Sequence, residues 1–265
     1  MRFTQRQAGT VTWNIASGIE GKGVLLTGAA GGIGREIARA FAEAGARLAA
    51  VDLDEQGVRA VVGECAGGPH LALAADLRNL AGHDRLLGTA NEAFGRLDVL
   101  VCAAAVLVRR ADIDEVSEAD WDLQHDVNLK STFFLNRAAA NVFRAAGRGG
   151  RIINFTSQGW WNGGFGGSVV YAASKGGIVS MTRGLARSYA KDKITVNAVS
   201  PGAADTAMMR GGLTEAQIAT FVSQIPLGYM AHPSQLAGTV LFLASDHASY
   251  ITGATINVSG GWLMY

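Results

Sequence analysis

The sequence predicts an α/β fold: one doubly wound parallel sheet of seven strands with helices on both faces. Three observations predict it. Seven short apolar runs recur along the chain, several without the polar–apolar alternation of a half-exposed strand. Stretches with helical patterning lie between most of them. A glycine cluster falls between the first run and the first helical stretch, where such sheets turn from strand to helix. Right-handed crossovers then gather the strands into one sheet.

The first strand is expected at "GVLLTG", 23–28, followed by a helical pattern at 33–44. "ARLAAVD", 46–52, is the second strand, and a polar helical stretch follows at 55–64. "HLALAAD", 70–76, and "LDVLVCAAA", 97–105, are the third and fourth strands, with a helix between them at 80–94. A long helix is expected at 117–146, ahead of the fifth strand "GRIINFTS", 150–157. A helix at 171–190 leads to the sixth strand "ITVNAVS", 194–200, and one at 233–245 to the seventh, "GATINVSG", 253–260. Residues 203–230 carry no strand signal and are expected to form a substrate flap with short helices. Residues 1–21 have a polar start and no continuous apolar run, so they read as an extension ahead of a single domain, 22–265.

Composition narrows the function classes. With 265 residues, 49% of them hydrophobic, the chain can bury one sizeable core. Charged residues are only 17% and the net charge is +1, with no basic block of the kind a nucleic-acid groove needs. Arg109 and Arg110 are adjacent and read as a solvated loop. Cys65 and Cys102 form neither a disulfide framework nor a metal spacing, which fits small buried side chains in a reducing cytoplasm. No 18-residue apolar span is present, so no membrane helix is expected.

"TGAAGGIGREIA" places Gly28, Gly32 and Gly34 between strand and helix. Missing side chains there let the backbone turn tightly and let a pyrophosphate approach the helix N-terminus. Asp52 ends the second strand, 18 residues beyond Gly34. A carboxylate there can accept both hydroxyls of an adenosine ribose and would repel the extra phosphate of NADP, so NAD is favoured. Arg35 either swings toward a phosphate, assists the pyrophosphate or is simply solvated. Asp76 ends the third strand, where it either caps local amides or receives an adenine amine.

"SVVYAASKGG" puts Tyr171 and Lys175 four residues apart, on one helical face. A phenol is a poor acid–base group near neutral pH, and a nearby ammonium should lower its pKa so that it can exchange a proton with an alcohol or ketone oxygen. Ser157 ends the fifth strand and could hydrogen-bond the same oxygen. Thr156 is the competing hydroxyl, but neighbouring strand residues point to opposite faces. Asn128, a poor helix former inside a predicted helix, either binds water toward Lys175 or satisfies a packing role.

Together these residues resemble the classical short-chain dehydrogenase/reductase family, over about residues 22–261. "TGAAGGIG" matches the family pattern TGxxxGxG, and "YAASK" matches YxxxK. The resemblance implies a single-domain Rossmann fold and a catalytic tetrad of Asn128, Ser157, Tyr171 and Lys175. In it Tyr171 is the general acid/base, Lys175 lowers its pKa and holds the nicotinamide ribose, Ser157 orients substrate and Asn128 holds a relay water. "PGAADT", 201–206, resembles the family's PGxxxT stretch, which implies that Pro201, Gly202, Ala204 and Thr206 border the nicotinamide. It also implies that Asp76 and Leu77 lie beside adenine, that Ile33 contacts the pyrophosphate through its backbone, and that Ala103 and Ala104 line the adenosine. Members are usually dimers or tetramers, with the helices near 117–146 and 171–190 at an interface. Two departures stand out. "CAAA", 102–105, replaces the usual NNAG, so the bracing side chains are lost and Ala105 could crowd the cofactor. The interval from Ser157 to Tyr171 is one residue longer than is common.

Trp160, Trp161 and Phe165 flank the proposed chemistry and could form an apolar pocket wall, an interface or core. Met208, Met209 and Met230 in the flap could adapt to a bulky substrate. The function expected is reversible hydride transfer between NAD(H) and an apolar or cyclic secondary alcohol or ketone, in a homo-oligomer without metal. The alternatives are an NADPH-dependent ketone reductase and a non-catalytic nucleotide sensor on the same fold.

Overall fold

The computed structural model describes residues 18–164 and 166–265. Seven strands, β1 (Gly23–Thr27), β2 (Arg47–Asp52), β3 (Leu71–Ala74), β4 (Val99–Cys102), β5 (Gly150–Phe155), β6 (Ile194–Pro201) and β7 (Thr255–Val258), form one sheet. Their order is β3-β2-β1-β4-β5-β6-β7, and every pair is parallel. The chain leaves β1 toward β2 on one side, while β4 lies on its other side. The order therefore reverses between β1 and β4, and the carboxyl ends of these two strands open a crevice of the kind that takes ligands in such sheets.

The unbroken apolar runs have a simple cause, since the five central strands are covered on both faces, while the edge strands β3 and β7 are less covered. Leu25, Leu100, Ile152 and Val196 pack against α3 (His83–Phe94), α5 (Ser131–Ala146) and α7 (Val169–Tyr189), through Leu87, Leu135, Phe143 and Leu185. The alternate residues Leu26, Val101, Ile153 and Val199 pack against α1 (Gly32–Glu43) and α10 (Ser234–Ala244), through Ile37, Phe41, Val240 and Leu243. Each such large side chain, fully buried, contributes roughly 2 kcal/mol. The remaining helices are α2 (Glu55–Glu64), α4 (Glu118–His125), α6 (Gly159–Asn162), α8 (Ala207–Arg210) and α9 (Glu215–Ser223).

The strands are shorter than the apolar runs that announce them: β3 stops at Ala74, β4 at Cys102 and β7 at Val258. The long helix expected at 117–146 is three pieces. A capping box between Ser117 and Asp120 starts α4. A π-helical turn, Asp126–Lys130, then joins α4 to α5, and the Ser131 amide donates back to the Asp126 carbonyl. The Ser131 and Thr132 hydroxyls donate to the carbonyls of Val127 and Asn128, at 2.6 and 2.8 Å, which satisfies groups the wider turn would leave open. Residues 203–230 hold α8 and α9, the latter started by a capping box between Thr214 and Gln217. Among the described residues no helix is long and apolar enough to cross a membrane, and no cluster of metal-ligating side chains occurs. The expected extension 1–21 lies mostly outside the described residues.

Candidate active site

The chemistry-bearing side chains meet just beyond β5. Thr156 and Ser157 diverge as strand alternation requires: the Thr156 hydroxyl donates to the Lys175 carbonyl at 2.8 Å, in the core. Ser157 faces the other way, accepts from the Gly159 amide at 3.3 Å, and lies close enough to the Tyr171 phenol to act on it. The interval between them contains α6, a single helical turn that the sequence does not announce. Tyr171 sits in the first turn of α7, with Lys175 one turn on.

The Lys175 ammonium is fully buried, donates to the Phe155 carbonyl at 2.9 Å and lies 5.6 Å from the Tyr171 ring centroid. Burial pulls its pKa down to about 8. The same burial pushes the Tyr171 phenol up to about 12, against the pull of the Ser157 hydroxyl and the positive charge of Arg109. The lowered phenol pKa expected from the lysine is therefore not met: desolvation outweighs the positive charge of Arg109.

Asn128 is fully buried in the π-turn. Its side-chain carbonyl accepts from the Val106 amide at 2.8 Å, and its amide donates to the Val106 carbonyl at 3.0 Å and to the Ser174 hydroxyl at 3.1 Å. Both N–H donors are thus committed to the protein. The side chain clamps the chain leaving β4 to α7 beside Tyr171, whose carbonyl accepts from Ser174 at 2.7 Å.

A second cluster borders the crevice between β1 and β4. Gly28 has φ +73°, and a Cβ there would lie 2.6 Å from the Ala104 amide nitrogen. A Cβ on Gly34 would lie 1.9 Å from the Gly28 carbonyl oxygen. Gly32 faces Thr206, whose methyl group would be 2.9 Å from a Cβ. The glycine turn and the 201–206 stretch, remote in sequence, are thus in contact. Ile33, half-buried, opens α1 beside Gly32, and no side chain caps that helix N-terminus. Asp52 accepts from the Ala30 amide at 2.9 Å and the Asp54 amide at 3.2 Å, so one carboxylate serves as a brace at the end of β2. Arg35 does not swing toward this site but pairs with Glu64 at 3.3 Å.

Ala103 and Ala104 are half-buried, and the Ala104 amide donates weakly to the Thr27 hydroxyl at 3.4 Å. Cys102, first of the unusual "CAAA", is buried against Asn136 at 3.5 Å, and burial pushes its thiol pKa up to about 12. Pro201 ends β6, Gly202 bonds to Val258 at 2.9 Å, and Ala204 bridges Ala231. The Asp76 carboxylate is forked by Arg78 and accepts the Arg78 amide at 2.9 Å. Leu77 is buried, and its carbonyl accepts from His83 at 2.9 Å. Asp76 and Leu77 border a cavity of about 380 Å³ at the β3 edge of the sheet, away from Tyr171.

Trp160 and Trp161 pack against Tyr265, near the end of the chain. The Trp160 and Tyr265 ring centroids are 4.9 Å apart, and the Trp160 indole donates to the Tyr265 hydroxyl at 3.3 Å. Trp161 is 55% exposed, which removes the core alternative for it. Phe165 lies outside the described residues. The sequence reading missed Tyr265, which carries no local signal. It also misread Arg109. That side chain is half-buried, and it donates to the carbonyls of Met208, Met209 and Gly211 in the 203–230 segment at 2.9, 3.3 and 2.5 Å. The available signal was position, since Arg109 follows a central strand at the carboxyl edge where such sheets bind ligands.

Residues 28–263 match the profile of a family described as enoyl-(acyl carrier protein) reductase. The chain is 39% identical over 251 residues to 2-dehydro-3-deoxy-D-gluconate 5-dehydrogenase of Escherichia coli (strain K12), covering 94% of this chain and 98% of that one. It superposes with a TM-score of 0.87 on a short-chain type dehydrogenase/reductase from Mycobacterium marinum, at 31% identity and 95% and 98% coverage. A 3-ketoacyl-(acyl-carrier-protein) reductase from Brucella melitensis, solved in complex with NADH, superposes at 0.86 with 33% identity, covering 93% of this chain and all of that one.

Proposed function

The chain belongs to the classical short-chain dehydrogenase/reductase family, and on that premise we propose that it interconverts a secondary alcohol and its ketone with NAD in preference to NADP. The observation that carries the reading is the Tyr171 phenol close enough to the Ser157 hydroxyl to be acted on by it, with the Lys175 ammonium 5.6 Å from the phenol ring centroid. The glycine cradle fits a dinucleotide: side chains at Gly28 and Gly34 would fill it, and the open N-terminus of α1 suits a pyrophosphate. Bound NAD(H) supplies the hydride acceptor or donor.

The chain's own residues manage the proton. As a phenolate, Tyr171 takes the hydroxyl proton from the alcohol; as a phenol, it gives its proton to the ketone oxygen. Ser157 donates a hydrogen bond to that same oxygen and holds it against the phenol. Arg109 opposes the burial that keeps the phenol protonated, and Lys175 would hold the nicotinamide ribose. Gly28, Gly32, Ile33 and Gly34 would hold the pyrophosphate and Asp52 the adenosine ribose. Ala103, Ala104, Asp76 and Leu77 would border the adenosine, and Pro201, Gly202, Ala204 and Thr206 the nicotinamide. The Asp52 carboxylate disfavours a ribose phosphate, and the Arg35–Glu64 pair withholds the cation that would welcome one.

Trp160, Trp161 and Tyr265 would wall the substrate, with 203–230 as its flap. A homodimer or tetramer in a reducing cytoplasm completes the reading. It is supported by two free cysteines and by a groove of about 600 Å³ between the π-turn, α5 and α7, lined by Leu129, Phe133, Phe134 and Met181.

Absorbance at 340 nm with a panel of secondary alcohols and either cofactor tests the proposal. NAD-linked turnover is expected, and Tyr171→Phe should lower kcat by roughly 10²–10⁴-fold while leaving NAD affinity within a few-fold. Full activity in that variant would remove Tyr171 from the chemistry. Asp52→Ala should narrow the NAD-to-NADP ratio of kcat/KM about tenfold or more, and an unchanged ratio would overturn the role given to this carboxylate.

A further inference from the structure

Arg109 is held in place by its neighbours. The Val106 amide is pinned to Asn128, and the Val108 amide to the Gln124 side chain at 3.1 Å. Arg110 forks Asp120 through Nε and Nη2, at 2.9 and 2.7 Å. This stretch also lies on the turn that leads into Tyr171: a Cβ on Gly167 would be 2.4 Å from the Arg110 Cβ. With pins on both sides, the Arg109 backbone has little freedom, and its side chain reaches the 203–230 segment.

The guanidinium is incompletely used. Nη1 donates to Met208 and Gly211 and Nη2 to Met209, all neutral main-chain carbonyls. A guanidinium has five donors, so Nε–H and one Nη2–H remain. These belong to the same pair of nitrogens with which Arg110 binds the Asp120 carboxylate. No described carboxylate pairs with Arg109, whereas Arg110 beside it has a full partner. Its charge is close enough to the Tyr171 phenol to act on it. A half-buried cation with a free fork, beside the proton carrier and under the flap, is a receptor for a planar anion.

We propose that Arg109 receives a carboxylate of the substrate on its Nε–Nη2 edge, so that the site takes hydroxy acids and their keto forms. This rests on the hydride-transfer reading above and names the substrate class within it. The three carbonyl bonds to the flap then couple anion binding to closure over the reacting carbon, because one side chain holds both.

The test uses the NADH-loaded protein and calorimetric binding of matched probes: 3-hydroxybutyrate against its methyl ester, and gluconate against glucitol. At least one acid should bind the wild type about tenfold or more tighter than its neutral partner. Arg109→Met should bring that ratio close to one, with Arg109→Lys in between, since lysine keeps the charge and loses the fork. The ratio cancels whatever loss of the flap bonds costs both probes alike. Equal binding of acid and neutral partner by the wild type would overturn the proposal. So would an Arg109→Met variant that weakens both equally, or inorganic phosphate displacing the acid more strongly than a second carboxylate does. If the acid binds through Arg109 but no probe or other secondary alcohol changes absorbance at 340 nm with either cofactor, the carboxylate site stands and the hydride-transfer reading falls.

Discussion

At Tyr171 and Lys175 the opposing influences are desolvation and charge. Lys175 is buried and Tyr171 half-buried, and desolvation disfavours the charged form of each. Between about 8, its pKa in the fold, and its ordinary 10.5, Lys175 binds fewer protons in the folded protein than in the unfolded chain. Linkage then requires stability from this group to rise with pH across that window, and the full cost of burying the ammonium to be present below it. In Lys175→Met that dependence disappears. Urea unfolding at matched pH values should show the wild type gaining on the variant as pH rises from 8 to 10.5, and a constant difference would mean that this ammonium is not desolvated.

The π-turn between α4 and α5 is an element whose purpose is visible in one side chain. An uninterrupted α-helix would place residue 128 in a different register. The extra residue in the turn seats Asn128 against both polar groups of Val106 and the Ser174 hydroxyl. Asn128 therefore ties the loop carrying Arg109 to the helix carrying Tyr171. Asn128→Leu leaves the part-buried Val106 amide and carbonyl without their partner, which should cost about 1–3 kcal/mol. Chemical denaturation measures that loss, and a drop well under 1 kcal/mol would show that water replaces the clamp. The "CAAA" segment makes the same point about elements: the missing side-chain braces are replaced by contacts from Thr27 and Asn136, supplied by β1 and α5.

Over the whole molecule, strand order assembles the site. Residues from β1, β2, β4, β5, β6 and α7 converge because the carboxyl ends of all these parallel strands point the same way. The groove of about 600 Å³ lined by Phe133, Phe134 and Met181 lies on the outer side of this assembly, and 37% of Phe133 is exposed. If subunits associate there, Phe133→Glu should shift the protein from oligomer to monomer in light scattering, because burying a carboxylate in an apolar contact is costly. An unchanged mass would move the interface elsewhere.

The class of fold, the glycine turn and the pairing of Tyr171 with Lys175 could be read from residue order, because each is a local pattern. Apolar runs report covered strands, glycines report a tight turn, and a four-residue interval reports one helical face. The position of Ser157 followed for the same reason, from strand alternation against Thr156. What escaped such reading depends on segments far apart in the chain: the clamp of Asn128 on Val106, the contact of Thr206 with Gly32, the packing of Tyr265 on two tryptophans, and the reach of Arg109 to Met208 and Gly211. The pKa of Tyr171 belongs to this second group, since burial is a property of everything packed around a side chain and not of its neighbours in sequence.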